Sequence, residues 1–301
     1  MDAAAKNDGL TEASAGRAMA AACSQAGLSS GQAELLRLGE NAIYALATDQ
    51  TVVRVARSDT EETLRKVQKE LLVARWLMAQ NFPAVAPRED IAQPIRIEGR
   101  LVTFWEYVPP SPVEPTLTDL GGLLRDLHSL PAPEFCLPLL DPFPIMERRL
   151  ALAQGVPQAD VDYLAEACIK SQAAFHSIMS DAPKGVIHGD AHRGNLLARG
   201  SQVLLIDYEA VAIGPQAWDL IPTATAVDRF GLSPGDYAVF CRTYGQDVTD
   251  WPGYGPLRTV RELGMTTWLM QMAQSGKAAA EFAVRMESLR KEERDRRWHA
   301  L

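Results

Sequence analysis

The sequence predicts an α+β fold in two parts, a β-rich N-terminal lobe over residues 1–108 and a larger, mainly helical lobe over residues 109–301. Three observations carry that reading. Apolar and β-branched runs alternate with polar turns between Gly39 and Val108. The stretch PPSPVEP, residues 109–115, is the strongest linker signal in the chain. Beyond it, apolar residues recur at helical spacing, interrupted by three short strand-like runs.

Taken in order, the first twenty residues read as a loose leader running into an alanine-rich helix, without the continuous apolar stretch of a secretion signal. NAIYALAT, the turn Asp49-Gln50 and TVVRVAR then form a hairpin pattern. Thr60 precedes EETLRKVQKELLVARWLMAQ, where Leu64, Val67, Leu71, Leu72, Ala74 and Leu77 define a helical face. Pro83 and Pro87 follow, and then two further strand-like runs, IAQPIRIE and RLVTFWEYV. After the linker come the helices LTDLGGLLRDLHSL and VDYLAEACIKSQAAFHSIM, and the short runs GVIH, NLLAR and VLLID. The C-terminal RKEERDRRWHAL reads as a solvated helix of mixed charge.

Composition narrows the function. With 301 residues, 47% hydrophobic and 23% charged, the chain has ordinary globular values and length enough for about two domains. No apolar run approaches the roughly 18 residues of a membrane span, so no membrane partner is expected. Thirty-eight acidic against thirty basic residues leave a net charge of −8, which disfavours nucleic acid. Cys23, Cys136, Cys168 and Cys241 are scattered and form no CxxC pair, as expected of a cytoplasmic protein with reduced thiols and no zinc cluster.

The densest chemistry lies between Val186 and Leu220. Each apolar strand there ends in polar residues, so His188, Asp190, His192, Asn195 and Asp207 are expected to converge on one pocket. Four residues separate Asp190 from Asn195, the spacing of the protein-kinase catalytic loop D-x-x-x-x-N, and Asp207 ends a strand where the kinase metal-binding aspartate stands. Phosphoryl transfer passes through a loose transition state, so an enzyme mostly positions groups and neutralises charge. Mg²⁺ takes carboxylate or amide oxygens together with phosphate oxygens and water, which suits Asn195 and Asp207. Asp190 is then left to orient an acceptor hydroxyl and take its proton.

These residues make the chain recognisable. HGDAHRGN (188–195), IDYE (206–209) and WDL (218–220) resemble the signature of the aminoglycoside phosphotransferase and choline kinase family, which shares the protein-kinase-like fold. The resemblance runs over roughly residues 35–275 and implies a small-molecule kinase that uses ATP or GTP with Mg²⁺ and phosphorylates a hydroxyl. It implies that Val52 touches the base and Arg54 the phosphates. Glu70 would pair with Arg54, and Glu106 and Val108 would lie in the hinge that reads the adenine edge. His192 would face the transferred phosphate, while His188, Glu209 and Asp219 support the site, Asp219 by bracing the catalytic loop. Two departures stand out. Arginine occupies the place of the usual lysine, and a bidentate guanidinium does not hold phosphate as an ammonium does. The first loop has Gly39 alone and lacks G-x-G-x-x-G.

The acceptor is the open part of the reading. The segments after WDL offer Asp228, Arg229, Asp250, Trp251, Glu262 and Trp268, with Asp228, Glu262 and Trp268 the substrate candidates. Acidic groups with tryptophans suit a cationic acceptor, so an antibiotic such as an aminoglycoside is the first expectation. A metabolite kinase acting on choline, a sugar or a homoserine-like alcohol is the second. Readings from other classes are a metal-dependent hydrolase built on His188, Asp190, His192, Asp207 and Asp219, and a kinase-like binding module without catalysis. The sequence assigns no oligomeric state.

Overall fold

A computed structural model of the chain describes residues 9–300, and the expected leader at the extreme N-terminus falls largely outside them. The chain divides into two compact units, one of residues 1–115 with 194–209, the other of residues 116–193 with 210–301. A single cut at residue 108 differs from this division in two ways: the linker stays with the first unit, and so does the segment 194–209.

In the first unit, helix α1 (Glu12–Ala26) buries Ala15, Ala18, Met19, Ala22 and Cys23, one stripe at helical spacing. Thr11 caps its start through a reciprocal bond with Ser14, and Gly27 ends it in the left-handed conformation. The small side chains let α1 lie close on a five-stranded antiparallel sheet, against Ala42, Tyr44, Val53, Val55, Val102 and Phe104. The sheet runs β1 (Glu34–Leu38), β2 (Asn41–Leu46), β3 (Thr51–Ala56), β5 (Arg100–Glu106) and β4 (Ile95–Ile97) in spatial order. The expected hairpin is β2–β3, joined by a short turn at residues 47–50. Strand β1 begins five residues before Gly39, where ELLRL carries too little alternation to announce it.

Helix α2 (Glu61–Ala79) starts at Thr60, whose hydroxyl accepts from the Thr63 amide, and it buries Glu70, Leu71, Val73, Ala74, Trp76 and Leu77. Strands β7 (Leu196–Arg199) and β8 (Gln202–Leu205) pair with each other. Backbone bonds from Val85 to Leu205 (3.0 Å) and from Leu205 to Pro83 (2.9 Å) stitch that hairpin to the chain after α2. The buried Tyr208 hydroxyl closes the junction on the Val85 and Leu205 carbonyls. These bonds hold 194–209 in the first unit.

In the second unit, β6 (Lys184–Ile187) pairs antiparallel with β9 (Ala212–Pro215), a four-residue strand whose Gly and Pro hide it in the sequence. Around this ribbon stand α3 (Leu117–His128), α4 (Phe143–Ala151), α5 (Gln158–Asp181), α6 (Ile221–Arg229), α7 (Pro234–Tyr244), α8 (Tyr254–Met270) and α9 (Gly276–Arg290). The C-terminal expectation is corrected here. Helix α9 ends at Arg290, and the following residues form no helix. Their carbonyls are taken instead by buried guanidiniums: Arg229 donates to Glu293 and Arg296, Arg258 to Arg294, and Arg285 to His299. Charge-assisted bonds of this kind are stronger than the intrahelical bonds they replace. Trp298 is buried with its ring 4.3 Å from the Arg229 guanidinium and 4.9 Å from that of Arg285.

Trp298→Ala should therefore lower the unfolding free energy by about 3–5 kcal/mol, the range for truncating a buried Trp. Denaturant titration reads this directly. A loss below about 1 kcal/mol would mean that the carbonyl–guanidinium bonds, not the ring, hold the tail.

Candidate active site

In the first unit the site is built around one guanidinium. Arg54 projects from the centre of β3 and donates through Nη1 to Glu70 Oε1, a short contact between buried side chains. Its Nη2 donates to Glu209 Oε2 at 3.1 Å. The Asn41 amide from β2 lies on the remaining edge, its oxygen placed to accept from Nε at 3.1 Å and Nη2 at 2.7 Å. Alternation along β3 explains the placement, because Val53 and Val55 point into the α1 core while Arg54 turns to the other face. Arg57, two positions beyond Val55, reaches only the Gly39 carbonyl.

Lys69, the residue before Glu70, donates to the Glu209 carbonyl and so pins the segment that carries Asp207. Burial holds its pKa below the usual lysine value despite the carboxylates beside it. Asp207 sits at φ 66°, in left-handed backbone that non-glycine residues seldom adopt. Such strain gathers at functional positions. Asn195 is buried, and its carbonyl accepts from the Ile206 amide at 3.0 Å, which couples the two residues proposed for a cation.

The cluster carries more negative than positive charge. Glu70, Asp207 and Glu209 face Arg54, and Lys69 lies beside Glu70 and Glu209. Burial pushes Glu70 up to about 7 against the pull of Arg54, with Asp207 and Glu209 adding to the rise. Arg54 stays charged: burial works against it, and the three carboxylates outweigh that.

Val52 is half-buried on β3 opposite Trp105. Glu106 ends β5 with its amide donating to the Ala86 carbonyl and its carboxylate 3.2 Å from Arg199. The amide of Tyr107 goes to the Gln50 carbonyl, and Val108 follows half-buried. The Glu106 N–H is thus committed within the sheet.

In the second unit the loop after β6 is held by a single carboxylate. Asp219, fully buried, accepts from the amides of His188 (2.6 Å) and Gly189 (2.8 Å) and meets His128 Nε2 at 3.0 Å. His128 in turn meets the Tyr244 hydroxyl at 2.9 Å. Trp218 Nε1 donates to the Gly189 carbonyl at 2.9 Å. Gly189 has φ 84°, and a Cβ there would stand 2.3 Å from the Ala210 carbonyl oxygen, so this position admits glycine alone. His188 is buried, and its Nδ1 accepts from the Asp190 amide at 3.4 Å.

Asp190 emerges from this braced turn. Arg261 Nη2, from α8, donates to its Oδ1 at 2.5 Å, and His192 Nε2 lies 3.6 Å from Oδ2. Burial alone would raise this carboxyl, but the contact with His192 and the charge of Arg261 outweigh it and hold the pKa well below the usual carboxylate range.

The acceptor candidates are placed differently from the sequence reading. Glu262 is buried, with Oε1 accepting from Arg229 Nε (2.7 Å) and Arg258 Nε (2.9 Å) and Oε2 from Arg229 Nη2 (3.1 Å). Asp228 accepts from Arg258 Nη1 at 2.5 Å. Glu262 is thus paired with two guanidiniums inside the helical scaffold, while Asp228 meets one at its edge. Trp268 is 36% exposed, and the Asp228 side chain keeps a similar exposure despite its bond to Arg258. Asn41, Lys69 and Arg261 were not found by sequence reasoning. Only the place of Lys69 beside Glu70 could have hinted at one of them.

Residues 34–257 match the model of the phosphotransferase enzyme family, and the chain belongs to that family. No curated protein matches it significantly. Among solved structures it is similar to an amicoumacin kinase in complex with AMP-PNP, Ca²⁺ and its ligand, at 14% identity over 88% of this chain and 90% of that one, with TM-score 0.68. An aminoglycoside phosphotransferase from Streptomyces rimosus matches at 16% identity over 85% and 99%, with TM-score 0.63. A choline/ethanolamine kinase family protein from Mesorhizobium loti matches at 16% over 92% of each chain, with TM-score 0.62. At such identities the likeness establishes the kinase-like fold. Among the described residues no helix is long and apolar enough to cross a membrane.

The raised pKa of Glu70 has a measurable consequence. Between the ordinary value of about 4.3 and about 7, the folded chain holds a proton that the unfolded chain does not. The stability this proton contributes is full below the lower value and lost as pH rises through the upper. Glu70→Gln is neutral at every pH. The unfolding free energy of wild type minus that of the variant should fall between about pH 4 and about pH 7 and level off above that. A difference independent of pH would mean that Glu70 is ionised throughout.

Proposed function

We propose that the protein is an ATP- or GTP-dependent kinase that moves the γ-phosphate to a hydroxyl of a small molecule, with Asp190 as the base. The observation that carries this is the Arg54 cluster, in which a partly buried guanidinium faces Glu70, Glu209 and Asp207. Arg54, kept in place by Glu70, Glu209 and Asn41, would take the nucleotide phosphates, with Val52 against the base and Glu106 and Val108 at its edge. The donors of Asp207 and Asn195, a carboxylate and an amide oxygen, fit a hard divalent cation such as Mg²⁺. When bound, that ion would neutralise charge on the phosphates. Asp190, ionised at neutral pH, would orient the acceptor hydroxyl and accept its proton, and His192 would face the transferred group. Asp219 and His188 hold the loop, and the contacts of Asp219 to two amides and His128 favour a bracing role over a metal-ligating one.

For the acceptor, an antibiotic such as an aminoglycoside is the first reading. Its support is the set of similar structures, one an amicoumacin kinase and one an aminoglycoside phosphotransferase. A cytoplasmic resistance enzyme is the corresponding role. The metabolite reading, with choline, a sugar or a homoserine-like alcohol, gains from the pairing of Asp228 and Glu262 with arginines, which offsets two charges expected to meet a polycation. Trp268 remains an exposed candidate contact. ADP formation from MgATP across antibiotics and simple alcohols separates the two readings. ADP formation with none of them and no Mg²⁺-dependent nucleotide binding would overturn both.

Asp190→Asn should lower kcat by about 10²–10⁴-fold, the usual span for loss of a general base, with the KM for ATP little changed. Steady-state kinetics reads both values, and wild-type turnover in the variant would move the proton to another group. Arg54→Ala should weaken ATP far more than adenosine in calorimetric titration, and Glu70→Ala should do so to a lesser degree. Equal losses for both ligands would make Arg54 a general support of the sheet.

A further inference from the structure

We propose that Arg261 is a positioning residue for phosphoryl transfer, holding the Asp190 carboxylate so that Oδ2 meets the acceptor hydroxyl. The inference rests on the reading of Asp190 as the base, and it is carried by a contrast among the arginines of one unit. Arg229 donates to both oxygens of Glu262 and to two carbonyls of the C-terminal segment. Arg258 donates to Glu262, Asp228 and the Arg294 carbonyl. Arg285 donates to Glu281 and to the carbonyls of Met265 and His299. Each of the three ties one helix to another element and spreads its donors over several partners.

Arg261 ties α8 to the loop after β6, but through one carboxylate. Its guanidinium donates to Asp190 Oδ1 at 2.5 Å, and its Nε is buried with no hydrogen-bond partner. A buried donor left unpaired is costly, and where one persists a functional reason is the first to seek. The side chain is itself only 19% exposed, so water does little to soften that cost. The charge is spent on one carboxylate, and that carboxylate is the proposed base.

The mounting of Arg261 agrees with a positioning task. It lies between Arg258 and Glu262 on α8, and those two bond to each other along the helix. Arg229 from α6 and the C-terminal segment fasten the same pair. A group presented from a helix fixed in this way is held more exactingly than one on a loop. Asp190 has the opposite mounting, on a turn whose own side-chain contact to His192 is 3.6 Å. The two oxygens therefore have different partners. Oδ1 accepts from Arg261, and Oδ2 lies 3.6 Å from His192 Nε2.

A double-mutant cycle tests this on the intact chain, using Arg261→Gln, Arg261→Lys, Asp190→Asn and the Asp190→Asn/Arg261→Gln pair. The reaction read is ADP formation from radiolabelled MgATP, with whichever acceptor turns over or, without one, with water. Arg261→Gln should lower kcat by about 10–100-fold, the effect of a small misplacement of a reacting group, with the KM for ATP within about twofold. Arg261→Lys should recover most of the loss. In the Asp190→Asn background, Arg261→Gln should change the rate by less than about twofold, because residues acting as a unit are not additive. Multiplying losses in the double variant would overturn the proposal, as would an unchanged kcat or a faster one, which would make Arg261 a plug rather than a support. If Asp190→Asn itself turns over normally, the reading of the base fails and the proposal with it. A full loss there with additive effects sinks Arg261 alone. Should Arg261→Gln fail to fold, Arg261→Met, which also removes the donors, takes its place in the same cycle.

Discussion

The loop that presents Asp190 depends on one buried carboxylate. Asp219 is shut away from water and accepts from two consecutive backbone amides and from His128. Unpaired, such a charge would be very costly to bury, so its donors have to arrive together with it. That requirement explains why the neighbourhood is so constrained: Gly189 has room for no side chain, Trp218 bonds the Gly189 carbonyl, and His188 takes the Asp190 amide. The HGD and WD elements are two halves of one hydrogen-bonded object, separated by about thirty residues of chain.

A comparable constraint governs the first unit with the opposite electrostatic outcome. Around Asp219 the donors match the carboxylate, whereas around Arg54 carboxylates outnumber the cations. Burial, with Asp207 and Glu209 adding to it, raises the Glu70 carboxyl to about 7 against the pull of Arg54. A site with unspent negative charge next to a fixed guanidinium is suited to a ligand that brings both phosphate and a cation. The arginine at this place suits the arrangement, because its planar fork of five N–H donors spans Glu70, Glu209 and Asn41.

The helical unit shows how much arginine can do without touching chemistry. Arg229, Arg258 and Arg285 satisfy the carbonyls of a tail that forms no helix, and Trp298 fills the space between two of them. Buried pairs of this kind carry a large desolvation cost and are weak evidence for net stability. Their clearer effect is geometric, since they fix α6, α8 and the tail as one piece. Arg261 inherits that rigidity while using its own charge elsewhere.

The strands β2 and β3, helix α2 with its Thr60 cap and the residues of the HGD, IDYE and WDL elements were legible in the sequence. Each is encoded locally, by alternation, by helical spacing or by a fixed interval along the chain. The short β9, the membership of 194–209 in the first unit and the non-helical tail were not, because each is stabilised by partners far away in sequence. The same holds for the charges. Composition correctly placed Asp228 and Glu262 among acidic residues after WDL, but whether a carboxylate faces solvent or a guanidinium depends on its neighbours in space. Arg261 meets Asp190 across 71 residues, and Arg54 meets Glu209 across 155. By itself, then, the sequence determined which reacting groups the protein has and the order in which the chain presents them. Only the tertiary structure decided which charges are spent on each other and which are left for a ligand, because a Coulomb interaction is set by distance through space and not along the chain.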